Sequence, residues 1–203
     1  MNIFFINAGK RIELISSFSK AQVKISPGLI WGSDPNPIAP ALQIVDRIKI
    51  FKAKLDSNSF INELIDFIKK QEIDLIVPTI DPDLKRLSKW KYKINKHSPR
   101  TIILSSKPEL INIFSNKIKS KIVFNKYKLK TPKRYDLSDK NIKFPLIIKP
   151  AIGSASKGLK IVNTKRELSN NNFKNKDTIV EELIIGEEYT VDVLLDFNSK
   201  PLI

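Results

Sequence analysis

The sequence predicts an α/β protein in two parts, a Rossmann-like parallel sheet followed by a smaller α+β part. Three observations predict it. Short apolar runs take turns with helix-period segments from Asn2 to Leu104, the pattern of strand–helix–strand units whose strands pair in parallel. From Phe144 onward, Phe144 to Ile148 and Leu159 to Val162 read as strands on either side of a glycine- and serine-rich loop, without a helix-period segment between them. A chain of 203 residues that is 41% hydrophobic has enough apolar surface for two small cores.

Taken in order, Asn2 to Ile6 is a strand that ends in Asn7-Ala8-Gly9-Lys10-Arg11, after which Ile12, Ile15 and Phe18 recur at helical spacing through Ala21. Gly28 to Trp31 is a second apolar strand. Asp34 follows it where a dinucleotide fold places its ribose-binding acid. The first turn has a single glycine, so the close pyrophosphate approach of a dinucleotide fingerprint is not encoded, and that pattern argues against a nicotinamide cofactor. Pro35, Pro37 and Pro40 punctuate a loop, and Arg47 to Phe51 is another short strand. Asp56-Ser57-Asn58-Ser59 supplies N-cap candidates for a helix whose Phe60, Ile61, Leu64, Ile65 and Ile68 share one face.

Ile73 to Val77 reads as a central strand that ends in Pro78-Thr79-Ile80-Asp81-Pro82-Asp83. Open α/β sheets bind ligands at the carboxyl ends of their strands. Asp81 is therefore a candidate to orient a substrate, and the competing reading makes Asp81 and Asp83 caps of the next helix. Thr101 to Leu104 closes the sheet. Lys107-Pro108-Glu109 opens a helix with Leu110, Ile111 and Phe114 as its apolar stripe, and Asn116-Lys117 begins another through Ile118, Ile122 and Phe124.

Lys143-Phe-Pro-Leu-Ile-Ile-Lys149 is a short apolar strand ending in a cation, followed by the small-residue loop Gly153, Ser154, Ser156, Lys157 and Gly158. Such a loop lets backbone N–H groups close on phosphate oxygens while hydroxyls and a lysine add donors. The competing reading is a plain β-hairpin turn, since Leu159 to Val162 resumes as a strand. Neither the Walker A pattern nor the three-glycine fingerprint is present. Downstream, Glu181-Glu182 and Glu187-Glu188 flank an apolar segment ahead of the alternating run Tyr189 to Val193.

The order of lysine strand, glycine–serine loop, Val-Glu-Glu-Leu-Ile and Gly-Glu-Glu-Tyr-Thr-Val resembles the ATP-grasp superfamily, in its carbamoyl-phosphate synthase large-subunit-like branch. Upstream, Asn7 to Leu14, Ala39 to Leu42 and Pro78 to Asp81 resemble the pre-ATP-grasp domain of the same branch. The resemblance divides the chain into a pre-ATP-grasp domain over 1–106 and the front of an ATP-grasp domain over 107–203, with linker helices over 107–130 and a nucleotide-binding sheet over 131–203. It implies ATP as the nucleotide, with Lys117 and Lys149 on its phosphates and the loop carrying Gly153, Ser154, Ser156, Lys157 and Gly158 over them. Glu181, the Glu182 carbonyl and the Ile184 N–H would form the adenine hinge, and Glu188 would take the ribose. Gly9, Arg11 and Asp81 stand where a substrate would bind. Asn116 is a departure, because the family more often has an acid before that lysine.

The implied reaction joins a small carboxylate to an amine or ammonia through an acyl phosphate. The family's Mg²⁺-binding acidic strands lie further on than this chain reaches, so the expectation is a front part, truncated or split. It would be inactive alone and completed by a C-terminal fragment or by a homo-oligomer. A non-catalytic nucleotide-binding or interaction module is the alternative, and a basic nucleic-acid-binding protein a further one. No metal ligand set is expected here: cysteine is absent and His97 is the sole histidine.

The net charge is +15, and all of it falls between Lys85 and Lys143, where eighteen basic residues face three acids. These lysines are not interleaved with stacking aromatics, so the expectation is a solvated surface without a specific nucleic-acid partner. No apolar run approaches the ~20 residues of a bilayer span, and the expected compartment is the cytoplasm.

Overall fold

A computed structural model of the chain describes residues 1–139, 141–153, 157–169, 178–196 and 198–202. Cα proximity divides the chain into two compact units, Met1–Ile122 and Val123–Ile203.

The first unit is built on β1 (Asn2–Ile6), β2 (Ile30–Gly32), β3 (Arg47–Ile48), β4 (Ile73–Pro78) and β5 (Ile102–Ile103), in the order β3-β2-β1-β4-β5 with every pairing parallel. Helices α1 (Ile12–Ile25), α2 (Asn58–Lys70) and α3 (Asp81–His97) supply the crossovers, and a short 3-10 turn runs over Pro40–Ile44. The alternation in the sequence predicts this sheet. The run Ile3-Phe4-Phe5-Ile6 is apolar at every position because β1 is central and covered on both faces. Phe4 and Ile6 join Ile76, Phe60, Leu64, Phe67 and Leu87 on one side. Ile3 and Phe5 join Ile15, Ile30, Leu42 and Val77 on the other. Each fully buried side chain of this size contributes roughly 1.5–3 kcal/mol.

Helix α2 starts where the capping residues predict: Ser57 is extended and its side chain accepts the Phe60 N–H. Ring edges lock α2 onto the sheet, with Phe67 packed edge-on against Phe4 at 5.0 Å between centroids. Strand order reverses between β1 and β4, and the loops after these two strands hold Gly9, Arg11 and Asp81 at the C-terminal edge of the sheet.

Helix α4 (Pro108–Phe114) departs from the expectation of a buried stripe. Its Leu110 and Phe114 are exposed, and with Ile111 they line an open cleft against Leu84 of α3. Helix α5 (Lys117–Lys126) runs across the division between the units, and its N-terminus is capped by Asn116, whose side-chain oxygen accepts the N–H groups of Ile118 and Lys119. The departure at Asn116 thus keeps the capping chemistry of an acid without its charge.

The second unit carries an antiparallel sheet, β6 (Arg134–Tyr135), β7 (Leu146–Pro150), β8 (Lys160–Val162) and β9 (Thr178–Glu182), in the order β6-β9-β7-β8, with the short helix α6 (Lys165–Ser169) after β8. One face is its core: Tyr135, Leu146, Ile148, Val162 and Val180, closed by Leu168 of α6. The run Tyr189 to Val193 is not a strand; its side chains are exposed, and the backbone pairs again only around Leu195 and Pro201, where Asp196 and Lys200 close a hairpin. Among the described residues no helix is long and apolar enough to cross a membrane.

Candidate functional site

Period-2 alternation makes the second sheet a platform. With Leu146, Ile148 and Val180 turned to the core, the other face receives Ile147 and Lys149 from β7, Ile179 and Glu181 from β9, and Arg134 from β6. Ile147 stands opposite Glu181, and Lys149 opposite Ile179, so Lys149 and Glu181 are diagonal neighbours. Their side chains meet: Lys149 Nζ lies 2.9 Å from Glu181 Oε2, with the lysine 26% exposed and the glutamate 6%. A cation is thereby held at the end of a strand with most of its stem covered. It stays open enough to meet an anion.

The loop expected to cover phosphates leaves β7 beside that lysine. Gly153 has φ +151° and Gly158 φ +76°. A Cβ on Gly158 would sit 3.0 Å from the Pro150 ring, so this position needs glycine for both backbone and space. Lys157 is exposed next to it. Ser154 and Ser156 lie outside the described residues.

At the other end of β9 the chain is pinned to its neighbours before it leaves the sheet. Glu182 N–H donates to the Lys133 carbonyl at 2.9 Å, and the Lys133 N–H donates to the Glu182 carboxylate at 2.7 Å. Leu183 N–H donates to the Pro145 carbonyl at 3.1 Å. Ile184 follows, 63% exposed, at the start of an extended surface segment that includes Glu188. The sheet therefore brings Lys149, Glu181 and Glu182 onto two adjacent strands. Glu188 is exposed beyond it, and Lys117 opens α5 on the first unit's side of the division.

Three of the described acids of this unit are already engaged: Glu181 by Lys149, Glu182 by the Lys133 backbone, and Glu187 by the Tyr189 hydroxyl that it accepts from. Among the described residues no three His, Cys, Asp or Glu side chains cluster as a metal site.

In the first unit, Gly9 has φ +54° and its N–H donates to Asp34 Oδ2 at 2.8 Å, while Asp34 Oδ1 accepts the Asn36 N–H at 2.8 Å. Both oxygens of the acid that resembles a ribose reader are thus bonded to its own loops. Arg11 is exposed at the start of α1. Asp81 is exposed in the first turn of α3, at the α3–α4 cleft.

Asp83 differs from the capping role. It is fully buried, both of its oxygens accept from the Asn7 side-chain Nδ2, at 2.8 and 2.7 Å, and it contacts Arg86 one turn along α3. Burial pushes its carboxyl above the ordinary value, against the pull of Asn7 and Arg86 toward the charged form. Arg86 also holds Asp56, whose carboxyl is drawn below its ordinary value by that hydrogen bond. The local signal of this network in the sequence is the Asp-x-x-Arg spacing on a helix, which puts the two side chains one turn apart but says nothing of Asn7 or Asp56.

Comparison with known proteins covers nearly the whole chain. The PylC-like, N-terminal domain family matches residues 3–102 and the ATP-grasp domain family matches residues 114–203. A formate-dependent phosphoribosylglycinamide formyltransferase of Prochlorococcus marinus (strain NATL2A) is 27% identical over 176 residues, 81% of this chain and 44% of its own length. A D-alanine–D-alanine ligase of Fusobacterium nucleatum is 42% identical over 82 residues, 40% of this chain and 29% of that one. The crystal structure of N5-carboxyaminoimidazole ribonucleotide synthetase from Thermotoga maritima superposes with a TM-score of 0.63 at 20% identity, over 90% of this chain and 46% of that one. The chain spans less than half the length of these curated relatives. With a parallel α/β unit ahead of an antiparallel sheet that carries the lysine strand and its glycine loop, the chain belongs to the ATP-grasp superfamily, with a PylC-like domain preceding its ATP-grasp domain.

Proposed function

We propose that this chain binds ATP at the face of its second sheet that carries Lys149 and Glu181 and supplies the nucleotide-binding front of a ligase that joins a small carboxylate to an amine or ammonia through an acyl phosphate. The observation that carries the reading is the Lys149–Glu181 pair, 2.9 Å apart on one sheet face, at the strand end from which the Gly153–Gly158 loop departs. Lys149 serves as a phosphate cation and Lys117 as a second. The loop, including Ser154, Ser156 and Lys157, covers the phosphates. Glu181, the Glu182 carbonyl and the Ile184 N–H receive adenine, and Glu188 receives the ribose. Residues 1–106 act as the pre-ATP-grasp domain and 107–203 as the front of the ATP-grasp domain, in the carbamoyl-phosphate synthase-like branch.

Support for the reaction class comes from the relatives, whose names specify formate and D-alanine, both carboxylates. Phosphoryl transfer is catalysed largely by positioning and by neutralising charge, and a lysine platform with a backbone-lined loop provides both. Gly9, Arg11 and Asp81 are assigned to the carboxylate or amine substrate. Mg²⁺ is the expected companion of ATP, and a complementing fragment or a homo-oligomer is the proposed partner.

Titration calorimetry with ATP, ADP and AMP tests the reading. Affinity should fall from ATP to AMP, because the cations address phosphates. Absence of adenine-nucleotide binding, or equal affinity for AMP and ATP, would sink it.

A further inference from the structure

The C-terminal edge of the first sheet holds a cavity of about 560 Å³, within the range of roughly 300–1,000 Å³ common to small-molecule sites. It lies wholly inside the first unit and does not depend on the ATP reading. Ile50, Phe51, Leu55 and Phe60 form an apolar wall, and Asn7 and Arg86 are among the polar groups facing them.

Arg86 is shared by two carboxylates of different standing. Its side chain is only 8% exposed. Asp83, fully buried, contacts Nη1 and is itself fixed by the Asn7 side-chain Nδ2, which reaches both of its oxygens. That pair is already neutral. Asp56 comes from the β3–α2 loop with its side chain 71% exposed, and it takes the remaining fork of the guanidinium, Nε at 2.8 Å and Nη2 at 3.0 Å. This is the two-pronged geometry in which an arginine receives a free carboxylate. Asp56 holds the position with φ +68°, in the left-handed region that non-glycine residues rarely adopt. The buried charge therefore does not require Asp56 for neutrality, yet the loop adopts an uncommon backbone to place a carboxylate there.

We infer that this cavity is a carboxylate-binding site in which Asp56 occupies Arg86 until a small ligand with a carboxylate and an apolar body displaces it. The incoming carboxylate takes Nε and Nη2, and its apolar part lies against Phe51 and Phe60. The Asp56 carboxylate moves into water and its backbone can leave the left-handed region. One carboxylate replaces another on Arg86, so the net charge at the guanidinium does not change.

The test follows the Arg86 Nε–Hε cross-peak by NMR in the full chain during titration with 3-phenylpropanoate and, as a neutral control, 3-phenylpropanamide. Asp56→Asn removes the internal competitor while keeping a residue that tolerates positive φ. It should bind 3-phenylpropanoate at least tenfold more tightly than the wild type, and the amide should not bind. Arg86→Lys keeps a cation beside Asp83 but loses the planar fork, and in either background it should lose the carboxylate. Unchanged or weaker binding in Asp56→Asn would overturn the inference and leave Asp56 as a loop tie. So would the lack of any saturable shift of the Arg86 signal in that variant, or carboxylate binding that survives Arg86→Lys. Because Asp56 is exposed, its variant decides the matter even where Arg86→Lys fails to fold.

Discussion

Replacing Lys149 with methionine removes the charge of the platform while keeping most of its stem. Two effects should follow and can be separated. In the free protein Glu181 is left nearly buried without its cation at 2.9 Å. Breaking a buried pair from one side costs about 3–5 kcal/mol, and since Lys149 is a quarter exposed a smaller loss, about 2–3 kcal/mol, is expected. In the complex the loss is a charge-assisted contact to phosphate, about 1.5–3 kcal/mol, or roughly 10- to 150-fold in Kd. The double variant Lys149→Met, Glu181→Gln removes the charge of the glutamate as well. Urea denaturation should therefore show most of the stability restored in the double variant, while calorimetry shows ATP affinity still weak. AMP affinity should change little in either protein. The reasoning is refuted if Lys149→Met binds ATP as the wild type does, or if the double variant recovers ATP affinity together with stability, because Lys149 would then serve the fold alone.

Gly158→Ala should destabilise the second unit by about 1–2 kcal/mol and weaken ATP binding, since it combines a left-handed backbone with a contact at 3.0 Å to Pro150; a neutral effect in thermal melts would contradict this loop geometry. The Asp83 carboxyl should titrate above the ordinary aspartate value in a pH series of carbon-detected NMR spectra. Because its native state holds a proton that the unfolded state has already lost, its contribution to stability falls as pH rises through that window; Asp56, held low by Arg86, contributes stability that is lost as pH falls through its native value, and a reversed slope at either site would reject the assignment. Binding to DNA or RNA through the Lys85–Lys143 segment should be sequence-independent and largely lost by moderate salt, and a tight selective complex at high salt would contradict it. The 203-residue polypeptide should bind ATP without steady phosphate release, because Glu181 and Glu182 are already engaged; Mg²⁺-dependent release abolished by Lys149→Met would show that reading to be mistaken.

The parts of the fold that were legible in the sequence are those governed by local period and by burial on both faces. Ile3-Phe4-Phe5-Ile6 reads as a strand, and the structure gives it a core on each face; Phe60 to Ile68 reads as a helix because one face alone is apolar. Contacts that depend on register were not legible. Lys149 and Glu181 lie far apart in the chain and meet only because β7 and β9 pair with Ile147 opposite Glu181, so a resemblance between motifs could suggest that meeting but no spacing could derive it. Asp83 shows a long-range partner overriding a local preference. An aspartate in a first turn normally caps or faces solvent, yet β1 and β4 are neighbours, and that brings the Asn7 side-chain N–H group over α3 to meet it.

Two apolar patterns show the opposite limit, where periodicity states which side chains want cover without stating what covers them. Helix α4 has the spacing of a buried stripe, but Leu110 and Phe114 stay exposed along an open cleft. Tyr189, Val191 and Val193 alternate as a strand should, and Tyr189 is 77% exposed. A strand, however, is defined by its ladder, and among the described residues this stretch has no neighbour to exchange hydrogen bonds with until Leu195 meets Pro201. Alternation is thus a preference for one face over the other. It becomes a strand only where a partner supplies the edge, which is why the same signal is realised in β7, with β8 and β9 on either side, and unrealised at Tyr189 to Val193.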